Sequence, residues 1–200
     1  MGLRPVHGQA RAIGLIHLRP LEPSDVDELL ALRLANRDFL TQFEPRRAGS
    51  FFTRAEQLRH IAVEREDRRV DRRHVFGIFL DDPGGGEAAM VGRIALDNIV
   101  RGAWQNATLG YFVDKDHNDR GIATVAVAKV VRFAFTEERL HRVQAGVMPR
   151  NVASIRVLEK CGFKEEGFAP RYLQINGRWE DHNLYAVTIE DWEDLQASRS

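Results

Sequence analysis

Asp114-Lys115-Asp116-His117-Asn118-Asp119-Arg120-Gly121-Ile122-Ala123-Thr124 opens a run that stays apolar to residue 136. A strand-like segment, residues 109–113, precedes it, and a helix starts near Gly121. Glycine at such a junction lets the backbone pass close to a ligand. The N–H groups of the first helical turn have no intrahelical partner, and the helix dipole favours an anion in front of them. Asn118, Asp119, Arg120, Gly121, Ile122, Ala123 and Thr124 therefore read as a pyrophosphate cradle. A polar turn before an ordinary helix start gives the same short pattern. No lysine follows the glycine as in a P-loop, and no second glycine completes a dinucleotide fingerprint.

The helix behind the loop supports the first reading. Ile122, Val125, Ala126, Val130, Phe133 and Ala134 follow helical spacing, and Val127, Val131 and Phe135 widen the stripe. Lys129, Arg132 and Thr136 remain as a narrow polar edge. So apolar a helix is covered on most sides and makes a rigid mount for a binding loop.

The whole chain sets bounds. Its 200 residues suit one domain with a real core, placed at 13–192 between flexible tails at 1–12 and 193–200. Equal numbers of basic and acidic residues, 29 each, give no global field that would draw nucleic acid, and no direct nucleic-acid binding is expected. The single cysteine, Cys161, excludes an internal disulfide and agrees with a reducing, cytoplasmic setting. No apolar run is long enough to span a membrane, and the start has no signal-peptide core.

In order along the chain, residues 13–19 read as a strand, and a helix with Ser24 as N-cap carries Val26, Leu29, Leu30 and Leu34. Residues 36–45 read as a loop. Thr53-Arg54-Ala55-Glu56 is a capping box for a second helix to about Arg65, with Leu58, Ile61 and Ala62 on its buried side. The arginine-dense segment 46–74 reads as a solvated face, or else as a contact surface for an acidic or nucleic-acid-bound partner. Residues 74–80 and 89–96 form a hairpin across a Gly-rich turn, with a second turn at 97–102. Strand 107–113, the covered helix and strand 142–147 imply a crossover and a parallel pair within a mixed sheet. Asn151 caps a short helix, 152–160, that Gly162 ends with Phe163 packing back. Asn176-Gly177 turns a closing hairpin over 172–188, and a short helix and tail finish the chain.

Several of these stretches together resemble one family. Asn118-Asp119-Arg120-Gly121-Ile122-Ala123 is similar to the R/Q-x-x-G-x-G/A cofactor loop of the GNAT acetyltransferases, with Asn118 in the usual Arg/Gln place. Leu109-Gly110-Tyr111, the Asn151-Val152-Ala153-Ser154 to Cys161-Gly162-Phe163 segment, and Tyr172 through His182 ending in Leu184-Tyr185 follow in family order. The last of these, with the turn at 98–102, resembles the RimJ/RimL group, the ribosomal-protein alanine N-acetyltransferases. The similarity covers roughly 13–192.

The resemblance implies an α/β, mixed-sheet GNAT fold with two splayed parallel strands flanked by helices. It implies acetyl-CoA as co-substrate, no metal, and direct transfer to a primary amine, most simply a protein N-terminus. Backbone groups of Tyr111, Phe112 and Val113 would pair with the pantetheine arm, Lys115 and Arg120 could add charge near the phosphates, Asn151 would bind the pantetheine amide, and Ser154 would lie near the thioester sulfur. The tyrosine that many relatives carry seven residues after this asparagine is replaced by Leu158, so Ser154 becomes the candidate acid. Glu44, Asp97 and Glu180 are the carboxylates on acceptor-side segments, with Glu44 the chosen base. Cys161 reads as a packed thiol. Core packing is expected of Tyr172 and Trp179, with the acceptor mouth as an alternative for Tyr172. The oligomeric state is left at monomer or homodimer. Small-amine acetylation, for an aminoglycoside or polyamine, and a non-catalytic acyl-CoA sensor remain open at this point.

Overall fold

The computed structural model describes residues 15–198. The expected tail at 1–12, residues 13 and 14 of the expected first strand, and the last two residues lie outside that span. One seven-stranded sheet carries the chain, in the order β1-β2-β3-β4-β5-β7-β6. Its strands are β1 Ile16–Arg19, β2 His74–Leu80, β3 Ala89–Val100, β4 Asn106–Val113, β5 Arg142–Val147, β6 Lys164–Ile175 and β7 Arg178–Thr188. Neighbours are antiparallel except β4 and β5, which the crossover through α4, Ile122–Thr136, makes parallel.

Both faces are covered. Ala126, Val127, Val130, Val131 and Ala134 of α4 pack with Phe76, Ile78, Ile94, Leu96 and Leu109 of the sheet. Val26, Leu29 and Leu32 of α1, Val26–Ala35, and Ile61 of α3, Arg54–Arg69, meet Phe79, Met90 and Phe112 in a second cluster. Alternation along β4 decides which residue serves which layer: Leu109 and Val113 join the α4 layer, Phe112 the α1 layer.

The structure corrects several expectations. Asp25 rather than Ser24 closes the start of the first helical segment, because its carboxylate accepts from the Glu22 N–H at 2.7 Å and from Arg19 at 2.7 and 2.8 Å. Residues 36–45 include a short helix, α2 Arg37–Thr41. Ala62 is exposed; the buried side of α3 is Gln57, Ile61 and Glu64, since Gln57 donates to Phe51 O and Glu64 pairs with Arg93. Val125 is 41% exposed because it heads the face that continues through Lys129, Arg132 and Thr136. The expected turn at 97–102 is partly strand: β3 runs on to Val100 through a register break beside left-handed Asn98. The closing hairpin starts earlier, at Lys164, and its Asn176-Gly177 turn has positive φ at both residues, as a type I′ turn requires. Helix α6 spans Ile189–Ala197 and so runs past residue 192.

Candidate active site

β4 and β5 pair over three positions only, Asn106 with Arg142, Ala107 with Val143 and Thr108 with Gln144. Beyond these, β4 keeps its bonds to β3 and β5 keeps its bonds to β7, so the two strands diverge. Their facing edges leave backbone donors and acceptors that need partners. A cleft of about 590 Å³ opens there, lined by Leu109, Gly110, Tyr111 and Phe112 on one side and Ala145, Gly146 and Val147 on the other. Gly146 has no room for a side chain larger than its hydrogen without moving a neighbour: a Cβ would sit 3.2 Å from the Tyr172 ring.

The predicted loop continues from the end of β4. Among the described residues, the N–H groups of Gly121, Ile122, Ala123 and Thr124 meet no protein acceptor, and Val125 is the first to bond back, to Gly121 O at 3.1 Å. Gly121 has φ +75, and a Cβ built on it would meet nothing within 4 Å. Asp119 is also left-handed, at φ 59. Ile122 is buried and anchors the turn from below, while Cys161, buried at the end of α5, Val152–Lys160, donates its thiol to Thr124 O at 3.4 Å. Lys115 pairs with Asp116 at 2.8 Å, and Arg120 donates to Asp116 O at 3.0 Å.

Asn36 fixes the loop's entry and was missed in the sequence. Fully buried, it donates to Asp114 Oδ1 at 2.9 Å and to Leu32 O at 3.0 Å, and accepts from the Lys115 N–H at 2.8 Å. Burial alone would raise the Asp114 carboxyl, but hydrogen bonds from Asn36 and His117 bring it below its ordinary value.

Asn151 caps α5 by accepting from the Ser154 N–H at 3.2 Å. Tyr111, expected for its backbone, also brings its side chain into the site: the hydroxyl lies 2.9 Å from Ser154 Oγ. Burial pushes the Tyr111 phenol up to about 12, against a smaller opposing effect of Ser154. Leu158, in the position of the absent tyrosine, is buried and lines the cleft.

Glu44, Asn151, Ser154, Tyr111 and Phe112 line one cleft; Val113 and residues 118–124 lie outside its lining, beyond the end of β4. All three candidate carboxylates are engaged: Glu44 by Arg33 at 2.8 Å and Arg47 at 3.6 Å, Asp97 by Arg73, and Glu180 by Arg150 at 2.5 Å. The Asn176 N–H donates to Glu44 O at 3.0 Å and ties the hairpin tip to the Glu44 loop. Tyr172 lines the cleft and Trp179 is 60% exposed, so neither is core; both lie on the hairpin beyond the packed part of the sheet.

His182 is a second residue that sequence reasoning missed. It is 3% exposed, lines the cleft, and its ring stands 5.5 Å from that of Tyr172. Its Nδ1 lies 3.0 Å from Glu180 O. A carbonyl only accepts, so Nδ1 carries a hydrogen, and in the neutral ring Nε2 holds the lone pair. Alternation along β7 was the available signal, since it sets His182 on the inward side with Leu184.

The acetyltransferase (GNAT) domain family matches residues 16–164. A probable N-acetyltransferase of Bacillus subtilis (strain 168), YjcK, is 46% identical over 178 residues, 89% of this chain and 96% of the relative. The [ribosomal protein uS5]-alanine N-acetyltransferase of Escherichia coli (strain K12) is 32% identical over 157 residues, 78% of this chain and 79% of that one. Among solved structures, Mycobacterium smegmatis RimJ in complex with CoA-disulfide has a TM-score of 0.84 at 34% identity, covering 92% of this chain and 90% of that one.

Proposed function

This chain belongs to the GNAT acetyltransferase family, and we propose that it moves the acetyl group of acetyl-CoA directly onto the α-amine of a protein N-terminus, with ribosomal proteins the first acceptors to try. The residues present fit the co-substrate. Four unpaired amides at 121–124 sit at the positive end of a helix dipole, which suits a diphosphate. The free edges of β4 and β5 suit an amide-bearing arm. Asn36 and Ile122 hold the loop, and Asn151 offers its Nδ2.

The charge of the cleft carries the choice of acceptor. Five guanidiniums, Arg33, Arg47, Arg73, Arg93 and Arg142, line it against three carboxylates, Glu44, Asp97 and Glu166, and a fourth, Glu64, pairs with Arg93. With every one of these carboxylates already engaged by an arginine, a polyamine's several charges find no free acidic partner. An α-amine carries one charge and sheds it easily. With a pKa of ~8, its neutral form costs about 1.4 kcal/mol at pH 7, against about 4.6 for a lysine at ~10.4.

A weak base therefore suffices. His182 Nε2 takes the amine proton as the new C–N bond forms, and Ser154 Oγ relays a proton from solvent in the open cleft to the departing thiolate as the C–S bond breaks, ending as a hydroxyl again. Tyr111 holds the Ser154 hydroxyl and keeps its own proton at neutral pH. Glu44, the carboxylate chosen from sequence, is shared between two guanidiniums, so its part here is to anchor the acceptor end of the cleft. His182→Gln is expected to lower kcat/KM about 10²-fold. Full activity in His182→Gln together with a loss of that size in Glu44→Gln would return the role to Glu44.

Asn36→Ala is expected to cost about 1–3 kcal/mol of stability by orphaning the Lys115 amide and taking one of the donors from Asp114. The same change is expected to raise the Kd for CoA about tenfold. Thermal melts and calorimetric titration separate the two effects, and an unchanged Kd would deny Asn36 its positioning part.

Thiol release tests the acceptor directly. N-terminal peptides, internal-lysine peptides, spermidine and an aminoglycoside are compared in parallel. N-terminal peptides are expected to lead spermidine by about 10²-fold in kcat/KM or more. Equal or better turnover of spermidine would overturn the α-amine reading.

A further inference from the structure

A second recess joins the cleft on its acceptor side. It encloses about 180 Å³ and shares Arg33, Glu44, Pro45 and Arg47 with the cleft. Arg37 of α2 and Arg46 complete its basic wall. Four guanidiniums thus face one carboxylate, Glu44, an excess of three positive charges.

Arg33 and Arg47 share Glu44, and those two together with Arg37 also stack on rings. Arg33 lies 4.1 Å over Phe112, Arg37 4.6 Å over Phe52, and Arg47 4.8 Å over Phe51. Stacking of this kind fixes a guanidinium plane and leaves its N–H edge free. Arg33 is 5% exposed, and its Nε is a buried donor with no hydrogen-bond partner. Arg37 and Arg46 form no ion pair among the described residues. A buried, unanswered donor beside a surplus of positive charge is costly unless an anion answers it.

We propose that this recess binds an acidic side chain of the acceptor polypeptide, a few residues behind the amine that is acetylated. The proposal rests on the α-amine reading above and adds which acceptors are chosen. Size and access favour a carboxylate. The recess is small, opens from the cleft, and is closed on one side by Asn176 at the hairpin tip. A nucleic-acid backbone needs instead an extended basic track. The co-substrate's phosphates are placed elsewhere, since residues 118–124 line neither this recess nor the cleft. A guanidinium fork matches a carboxylate in two parallel hydrogen bonds.

The test uses N-terminal peptides alike except for Glu or Gln, placed in turn at positions two to six. Wild type is expected to show a KM about tenfold lower for Glu than for Gln at one of these positions, with kcat changed less than about twofold. Arg37 and Arg46 are exposed, so the double variant Arg37→Gln, Arg46→Gln is expected to keep the Gln-peptide rate and lose the Glu preference. Salt near ~0.5 M is expected to shrink the preference. Equal KM values at every position, or a preference that survives in the double variant, would overturn the proposal. If neither peptide is acetylated, the acceptor reading fails on its own, and Kd then judges the recess. Tighter binding of the Glu peptide that the double variant loses supports it; equal Kd values overturn it. A short RNA that competes through Arg37 and Arg46, with no Glu/Gln discrimination, would reassign the recess to phosphate.

Discussion

Ser154→Ala is expected to lower kcat by about 10²-fold or more while leaving the KM for acetyl-CoA near its native value. Ser154 stands in the first turn of α5, its N–H capped by Asn151 and its hydroxyl 2.9 Å from Tyr111. A thiolate that leaves without a proton source leaves as a high-energy base, and general acids typically contribute 10²–10⁴-fold, roughly. Leu158 cannot supply that proton. Tyr111→Phe is expected to cost less, about tenfold, because it acts through Ser154. With burial pushing the Tyr111 phenol up to about 12, it is a donor at neutral pH, never a phenolate. The double variant is expected to be little worse than Ser154→Ala alone, since the two hydroxyls form one chain. Steady-state kinetics of the three variants decide it. Full kcat in Ser154→Ala would remove the acid from this account.

Gly121→Val is expected to weaken CoA binding by about 10²-fold or more. The protein itself has room: nothing stands within 4 Å of a Cβ at this position. The fold would therefore lose only the strain of a left-handed side chain, about 1–2 kcal/mol. On the reading proposed above, the added methyls would enter the space that the diphosphate needs in front of the unpaired amides. A titration of CoA into Gly121→Val, beside its thermal melt, separates the two costs. An unimpaired Kd with a lowered melting point would mean that the loop serves the fold and not the ligand.

How much of this could be read beforehand depended on distance along the chain. Helix α4 and strand β5 were read close to their observed bounds because Gly121 and the apolar spacing that follows are local signals. The parallel pair followed from the strand–helix–strand order, and its splay from the family resemblance. Elements of non-local origin were misread or missed. Asn36 looks like a loop residue until the chain brings Asp114 and Lys115 against it. Asp25 displaced Ser24 as the cap because Arg19, on the preceding strand, reinforces a carboxylate there. His182 was one residue of a hairpin until β7 turned it inward. The arginines of 46–74 were split by tertiary structure: Arg46 and Arg47 joined Arg33 and Arg37 around the recess, while Arg59 and Arg69 pair with acids on their own helix face.

Amide hydrogen exchange with and without CoA tests the central claim most directly. Protection is expected to rise at 121–124, the unpaired first turn of α4, and at 111–113, the open edge of β4, with little change in β1 and β2. CoA that binds without slowing exchange at either place would contradict the account, because the diphosphate would then lie away from Gly121 and the pantetheine arm away from the divided strands.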